Sequence, residues 1–331
     1  MKQADISPEE AMKQIQKIFK KRGTKALEMA RKEILEEKIE CKEAREALSY
    51  FITKYWQDLA RPSLMSLVCE AVGGNPELTT PIAVPMILIS GAIDIHDDII
   101  DQSEVKDGRR TVLGKFGRDI ALLAGDALLF KGLTLLNEAG RKGIPARKMR
   151  TIVTLINKMF FELGDAESLE LQFRGRLDVA PEDYLRVIKM KGADVEAYVR
   201  ISAVLGDASK REVESLADYG RLLGMLAILN DDAADMTDSQ ELIHRIKYEC
   251  LPLPMLYVLH DTKVKSSISS IFLKKRTKEK DAKLILEITK KAGGFAQTTK
   301  LVQKLVEEGC SKLKLLRFNR KELTLLIRSM L

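Results

Sequence analysis

The sequence predicts an all-α fold, a single large helical bundle with a central apolar cavity, and three features carry that prediction. Leu, Ile, Ala, Lys and Glu dominate the 331 residues. Only 9 Pro and 20 Gly interrupt them, so long stretches pass without a turn signal. Apolar residues recur at helical spacing, as at Leu301, Val302, Leu305 and Val306. A sandwich, a barrel or a doubly wound sheet would instead need many short β-branched runs between turns. At 45% hydrophobic the chain is too apolar for disorder and can bury a sizeable core. No low-complexity linker or short repeat divides it, so one domain is expected over 1–331.

The elements follow in order. Ser7-Pro8-Glu9-Glu10 supplies an N-cap, a proline at the first helical position and acids in the first turn. That helix is expected to reach about Lys21 and stop at Gly23, with a long helix from Thr24 onward laced by charged pairs three and four residues apart. Arg61-Pro62 restarts the chain into an apolar helix through Val72, closed by Gly73-Gly74-Asn75-Pro76. Thr80-Pro81 opens a strongly apolar helix that reaches Asp101, and polar Gln102–Lys115 reads as a loop. Further helices are expected over Asp119–Glu138, from Pro145 to about Leu171, from Pro181 through Leu205, and over Lys210–Met236. Pro252 and Pro254 mark a break, after which helical spacing resumes to the end.

The net charge of +7 suits an anionic partner. Lys274–Lys291 is interleaved with Glu279, Asp281 and Glu287 and reads as a solvated helix face, so no nucleic-acid partner is expected. One Trp and 5% aromatics also argue against base stacking. Cys41, Cys69, Cys250 and Cys310 lie far apart without a CxxC pair and read as free thiols in a reducing compartment. Met1–Lys20 is polar, and the longest apolar run, Pro81–Ile95, contains Asp94 and falls short of a membrane span. A cytoplasmic protein without stable membrane insertion is expected.

Two clusters carry the chemistry: Asp97-Asp98-Ile99-Ile100-Asp101 and Asp231-Asp232-Ala233-Ala234-Asp235. Each is DDxxD and each closes a long apolar helix. At about 100° per residue, the three carboxylates of a cluster span only about 100° of the helix circumference. Two carboxylates ~4 Å apart repel by about 4 kcal/mol at the effective dielectric of a protein surface. A divalent cation removes that penalty. Mg²⁺ takes hard oxygen ligands from carboxylates, water and substrate phosphates. Two or three Mg²⁺ held by Asp97, Asp98, Asp101, Asp231, Asp232 and Asp235 would grip a diphosphate and stabilise it as a leaving group. An apolar bundle core with acids at its mouth suits a long hydrocarbon with a diphosphate head.

With these motifs the sequence resembles the trans-isoprenyl diphosphate synthases, or polyprenyl synthetases, of the farnesyl and geranylgeranyl type. The likeness takes in Arg61-Pro62, both aspartate clusters, Gly117 with Ala124-Gly125-Asp126, Lys191 in Ile188-Lys189-Met190-Lys191, Tyr219-Gly220 with Gly224, and Leu251-Pro252-Leu253. It implies an isoprenoid-synthase bundle that uses Mg²⁺, commonly as a homodimer. The implied reaction ionises an allylic diphosphate (C10–C20), adds isopentenyl diphosphate through its double bond, and loses a proton. By the same resemblance Asp97, Asp98, Asp101, Lys191 and Asp231 are catalytic. Arg61, Lys106, Arg109, Arg110, Lys191 and Lys247 bind substrate. Small residues before the first cluster, Gly91 and Ala92, with no Phe or Tyr plug, lean towards farnesyl or longer products. His96 reads as structural.

The departures fall mostly on the isopentenyl side. The family's GGKRxRP becomes Trp56-Gln57-Asp58-Leu59-Ala60-Arg61-Pro62, so Asp58 stands where a lysine is expected. ExxH becomes Ile87…Ser90, and RRG becomes Lys106-Asp107-Gly108. The Phe-Gln before the second cluster becomes Ala227-Ile228, and the following lysine aligns with Tyr248, beside Lys247. Each lost charge-assisted contact removes about 1.5–3 kcal/mol. Arg109-Arg110 either compensates or is a solvated loop. Besides elongation with isopentenyl diphosphate, two other readings stand: a lyase or transferase of the same fold that ionises an allylic diphosphate alone, and a non-catalytic subunit of a heteromeric synthase.

Overall fold

The computed structural model describes residues 8–106, 108–272, 277–316 and 318–331. The chain is helical almost throughout. In order it forms α1 (Pro8–Leu35), α2 (Lys42–Tyr50), α3 (Ala60–Ala71), α4 (Thr80–Ile100), α5 (Val112–Phe116), α6 (Arg118–Ala139), α7 (Ala146–Leu171) and α8 (Pro181–Lys191). There follow α9 (Ala193–Leu205), α10 (Lys210–Asp235), α11 (Ser239–Tyr248), α12 (Leu253–Val258), α13 (Thr262–Phe272), α14 (Glu279–Lys291), α15 (Gly294–Lys312) and α16 (Arg320–Arg328). Two short strands, β1 (Val105–Lys106) and β2 (Arg109–Arg110), pair antiparallel with Val105 opposite Arg110.

The helices opened by proline start where the sequence places them, and the departures have tertiary causes. The proposed cap Ser7 lies outside the described residues. Gly23 does not end a helix, because α1 runs through it. A Cβ at Gly23 would lie 2.6 Å from the Leu59 carbonyl oxygen and 2.9 Å from Ser63 Oγ, so this glycine admits the start of α3. The long helix expected from Thr24 breaks instead after Leu35, with no Gly or Pro to announce it. After the break, α2 passes directly into a π turn, Phe51–Tyr55, closed by the Trp56 N–H on the Phe51 carbonyl at 2.7 Å. Arg31 Nε donates to the Ile52 carbonyl of that turn at 3.0 Å, a contact no local pattern encodes. The segment read as a loop holds the hairpin and α5, whose first turn is capped by Thr111 Oγ accepting from Gly114 N–H. The helix expected from Pro181 through Leu205 is broken at Gly192, where a Cβ would lie 2.8 Å from the Arg221 carbonyl.

The chain divides into two compact units. The first takes in residues up to Leu155 with Tyr198–Leu216 and Leu315–Ser329. Its centre is α4, packed along α6 and against α1 and α3. Ile82, Met86, Ile87, Leu88 and Ile89 of α4 are fully buried. With its preceding turn, this 25-residue helix is long and apolar enough to cross a membrane. The sequence reading put it short of a span; burial of 72% of its most apolar window, not its length, makes it a core helix. The second unit, Ile156–Ala197, Ala217–Lys314 and Met330–Leu331, packs α12 on α8, α14 and α15, and α11 on α14. Leu253, Met255 and Leu256 of α12 are fully buried at its centre.

Candidate active site

Each aspartate cluster sits at the end of the helix that the sequence predicts, and each is met by one protein cation. In the first unit α4 delivers Asp94, Asp97 and Asp98 on successive turns. The hairpin brings Lys106 across them, its Nζ 3.3 Å from Asp97 Oδ2 and 2.8 Å from Asp98 Oδ1. Asp98 is fully buried, and neither of its oxygens accepts a well-aligned hydrogen bond. Burial pushes its carboxyl up to about 7, against the pull of Lys106. Asp94, whose role the sequence leaves unexplained, is raised to about 6 by burial, with Lys106 and Arg61 opposing and Asp97 adding to the rise. Burial alone would lower Lys106, but Asp97, Asp98 and Asp94 together hold it well above its usual range. Three carboxylates thus share one ammonium.

Arg61 and Arg109 flank this centre, and Arg110 follows on the hairpin. Arg61 pairs with Asp58 at 3.0 Å and lies 5.8 Å from the Trp56 ring centroid and 6.0 Å from that of Tyr198. Arg109 lies over the Tyr55 ring and donates to the Tyr55 carbonyl at 3.4 Å. Arg110 is held through its carbonyl, which accepts from Tyr50 Oη at 2.5 Å, while its side chain is exposed. Burial, with Asp98 and Asp94 adding, drives the Tyr55 phenol well above its usual range. His96 packs towards α6, with Nε2 3.4 Å from Asp126 Oδ1.

In the second unit the cation is Arg245, which the sequence reading missed. Its Nη1 is 2.8 Å from both Asp232 Oδ1 and Asp235 Oδ2, and its Nη2 donates to Tyr184 Oη at 3.0 Å. Asp232 is fully buried; it also accepts from Tyr184 Oη at 3.0 Å and from the Leu253 N–H at 3.0 Å. Burial raises its carboxyl, with Arg245 and these hydrogen bonds pulling the other way. Lys247 lies on the exposed side of α11, its ammonium 4.4 Å from the Tyr248 ring centroid. The only available signal for Arg245 is its place ten residues after Asp235, and helical spacing cannot show that α11 folds back. Lys191, at the end of α8, is paired with Glu167 at 2.8 Å and with Glu170. Arg221 fixes that helix end by donating to the Lys189 and Met190 carbonyls while paired with Glu162 and Glu196.

Among the described residues, no three Asp, Glu, His or Cys side chains converge into a closed metal cage. Lys106 and Arg245 draw the middle carboxylates inward instead. The donor set still suits a hard divalent cation: oxygens only, with carboxylates in excess over the local ammonium.

A family model described as polyprenyl synthetase matches residues 42–289. The chain belongs to this family. A geranylgeranyl diphosphate synthase of Methanosarcina mazei is 29% identical over 259 residues, 78% of this chain and 79% of that one. An octaprenyl diphosphate synthase of Escherichia coli is 28% identical over 221 residues, 64% of this chain and 65% of that one. A crystal structure of geranylgeranyl pyrophosphate synthetase from Pyrococcus horikoshii superposes with a TM-score of 0.83 at 25% identity, covering 95% of this chain and 98% of that one. This polyprenyl synthetase therefore has the all-α isoprenyl synthase fold and is a trans-prenyltransferase.

Two departures from the family pattern acquire local reasons. Asp58 Oδ1 accepts from the Ala60 and Arg61 N–H groups, so it caps α3 as well as pairing with Arg61. Ser90 shares a buried hydrogen bond of 2.8 Å with Tyr198 Oη, which also donates to the Met86 carbonyl at 2.9 Å. Asp107 lies outside the described residues. An aromatic does approach the small residues ahead of the first cluster, although α4 itself supplies none. The Phe51 ring of the π turn would meet a Gly91 Cβ at 2.7 Å.

These carboxyls set a pH dependence for the metal-free synthetase. Folded-state values of about 6 for Asp94 and about 7 for Asp98 lie above the roughly 4 of an unfolded chain. The folded form therefore holds protons more tightly, and stability falls as pH rises from about 4 to about 7, levelling off above. Urea midpoints in EDTA are expected to be higher at pH 5.5 than at pH 8. Asp98→Asn should shrink that difference, and an unchanged difference contradicts the assignment.

Proposed function

We propose that this synthetase extends an allylic isoprenyl diphosphate with isopentenyl diphosphate, forming a trans-polyprenyl diphosphate five carbons longer. The observation that carries the reading is the carboxylate excess around Lys106 at the end of a buried apolar helix. Asp97 and Asp101 in the first cluster, and Asp231 and Asp235 in the second, are the side chains that would hold Mg²⁺, as two or three ions. Asp98 and Asp232 are buried and act as anchors that aim their neighbours. Bound Mg²⁺ would neutralise the diphosphate and make it a better leaving group.

The remaining roles belong to the chain's own cations. Lys106 contacts the allylic diphosphate, released from its carboxylate partners as ligand charge arrives, and Lys191, held by Glu167 and Glu170, is a phosphate-binding candidate of the second unit. Arg61, oriented by Asp58 and by the Trp56 and Tyr198 rings, serves the isopentenyl diphosphate with Arg109 and Arg110. Lys247 adds an exposed cation on the helix that carries Arg245. Purified protein, Mg²⁺, farnesyl diphosphate and labelled isopentenyl diphosphate test the reading. Label in a longer diphosphate is expected; diphosphate release without incorporation of label would refute it.

The active form is proposed to be a homodimer working in the cytoplasm. α6 supports a second copy as partner, since it leaves Leu122, Leu123, Phe130 and Leu133 exposed along one stripe. Light scattering should give twice the 37.2 kDa chain mass, and Leu123→Asp/Phe130→Asp should give a monomer. A wild-type monomer at micromolar concentration rejects the dimer.

A further inference from the structure

A hollow of about 420 Å³ opens on the first unit beside the π turn, well within the range of small-molecule sites, about 300–1,000 Å³. Its walls are of two kinds. Ile34, Leu48 and Phe116 give an apolar lining, and Lys54 and Lys115 place ammonium groups at the margin. Lys115 Nζ sits 4.0 Å from the Tyr50 ring centroid, with no carboxylate among the described residues paired to it or to Lys54. The acids that share the lining already have cations: Glu37 is 2.6 Å from Lys131, and Glu46 is 3.8 Å from Lys42. The remaining cation, Arg45, donates to the Ile39 carbonyl. The lining therefore combines apolar side chains with three cations, Arg45, Lys54 and Lys115, against two carboxylates, Glu37 and Glu46.

We infer that this hollow binds an amphiphilic anion, an alkyl or isoprenyl chain ending in a phosphate or diphosphate. The chain buries against Ile34, Leu48 and Phe116, and the headgroup pairs with Lys54 and Lys115. The π turn gives such binding a consequence. Thr53 and Lys54 line the hollow, while Tyr55, the next residue, faces the first acidic centre and carries Arg109 against its ring and carbonyl. A π turn interrupts regular helical hydrogen bonding and commonly marks a functional position. Occupying the hollow would bias the turn on which Tyr55 sits.

The turn has a built-in reporter. Trp56, the only tryptophan, stacks on Phe51 with ring centroids 5.4 Å apart. Full-length protein is titrated in EDTA with dodecyl phosphate below its micellar concentration. EDTA removes divalent cations, so metal-dependent uptake at the aspartates makes no contribution. A saturable change in Trp56 emission is expected, unchanged by Asp97→Asn and weakened at least tenfold by Lys54→Gln/Lys115→Gln. Circular dichroism checks that the doubly substituted chain is folded, and single lysine substitutions repeat the titration with less change in surface charge. No saturable response, an equal response without the lysines, or a response lost in Asp97→Asn overturns the inference. Farnesyl diphosphate in EDTA and phosphatidic-acid vesicles form two further arms. A response to the first alone assigns a soluble prenyl diphosphate, to the second alone a lipid headgroup, and to neither overturns the inference.

Discussion

Asp97→Ala is expected to lower kcat by about 10²–10³-fold or more while leaving the protein as stable as the wild type. The reason is the division of labour within the first cluster. Asp97 is part-exposed and is one of three carboxylates crowded on Lys106, so removing it relieves repulsion and leaves Lys106 its 2.8 Å pair with Asp98. Its loss deprives a bound cation of a ligand without opening the core. Asp98→Ala should behave differently, because that side chain is fully buried and its loss creates a cavity beside an ammonium left to Asp97. Prenyl-transfer kinetics beside urea denaturation distinguish the two. Turnover within threefold of wild type for Asp97→Ala would show that the first cluster does not hold the catalytic metal.

Arg245→Met is expected to destabilise the protein by about 3–5 kcal/mol, the cost of stripping the partner from a buried charge. Arg245 is almost wholly buried and touches Asp232, Asp235 and Tyr184. Without it Asp232, already raised by burial, rises further. A folded-state value above the unfolded one favours the folded form at low pH, so the deficit should be smaller at pH 5 than at pH 8. Adding Asp232→Asn to Arg245→Met should restore part of the loss, since no uncompensated carboxylate then remains. Denaturant midpoints at the two pH values check both points. An Arg245→Met protein as stable as wild type would mean that the second cluster is not held by this residue.

Much of the site was legible before any coordinates. The three carboxylates of a DDxxD share one helix face at 100° per residue, and the helices that carry them were expected from Thr80-Pro81 and over Lys210–Met236, close to where they lie. Arg61 and Lys106, which the likeness gave as substrate-binding residues, also stand near the first cluster. The misread elements share a cause. Gly23 looks like a stop because a glycine in a helix usually weakens it, yet here it makes room for Leu59 and Ser63 from a segment more than thirty residues on. The break after Leu35 and the π turn have no local punctuation, and long-range partners such as Arg31 on the Ile52 carbonyl complete them.

The sequence by itself determined a helical chain with two acidic clusters closing apolar helices, because periodicity and punctuation are local properties of the chain, and the likeness of its motifs named the family. Only the tertiary structure decided which carboxylate in each cluster turns inward. Asp98 and Asp232 are chosen because Lys106 and Arg245 arrive from other elements, and burial without such a cation would cost several kcal/mol. The same dependence put Arg245 at the second cluster, and Phe51 against Gly91 where α4 supplies no aromatic. Helical spacing states which side chains share a face. What that face meets is settled by residues far away in the chain.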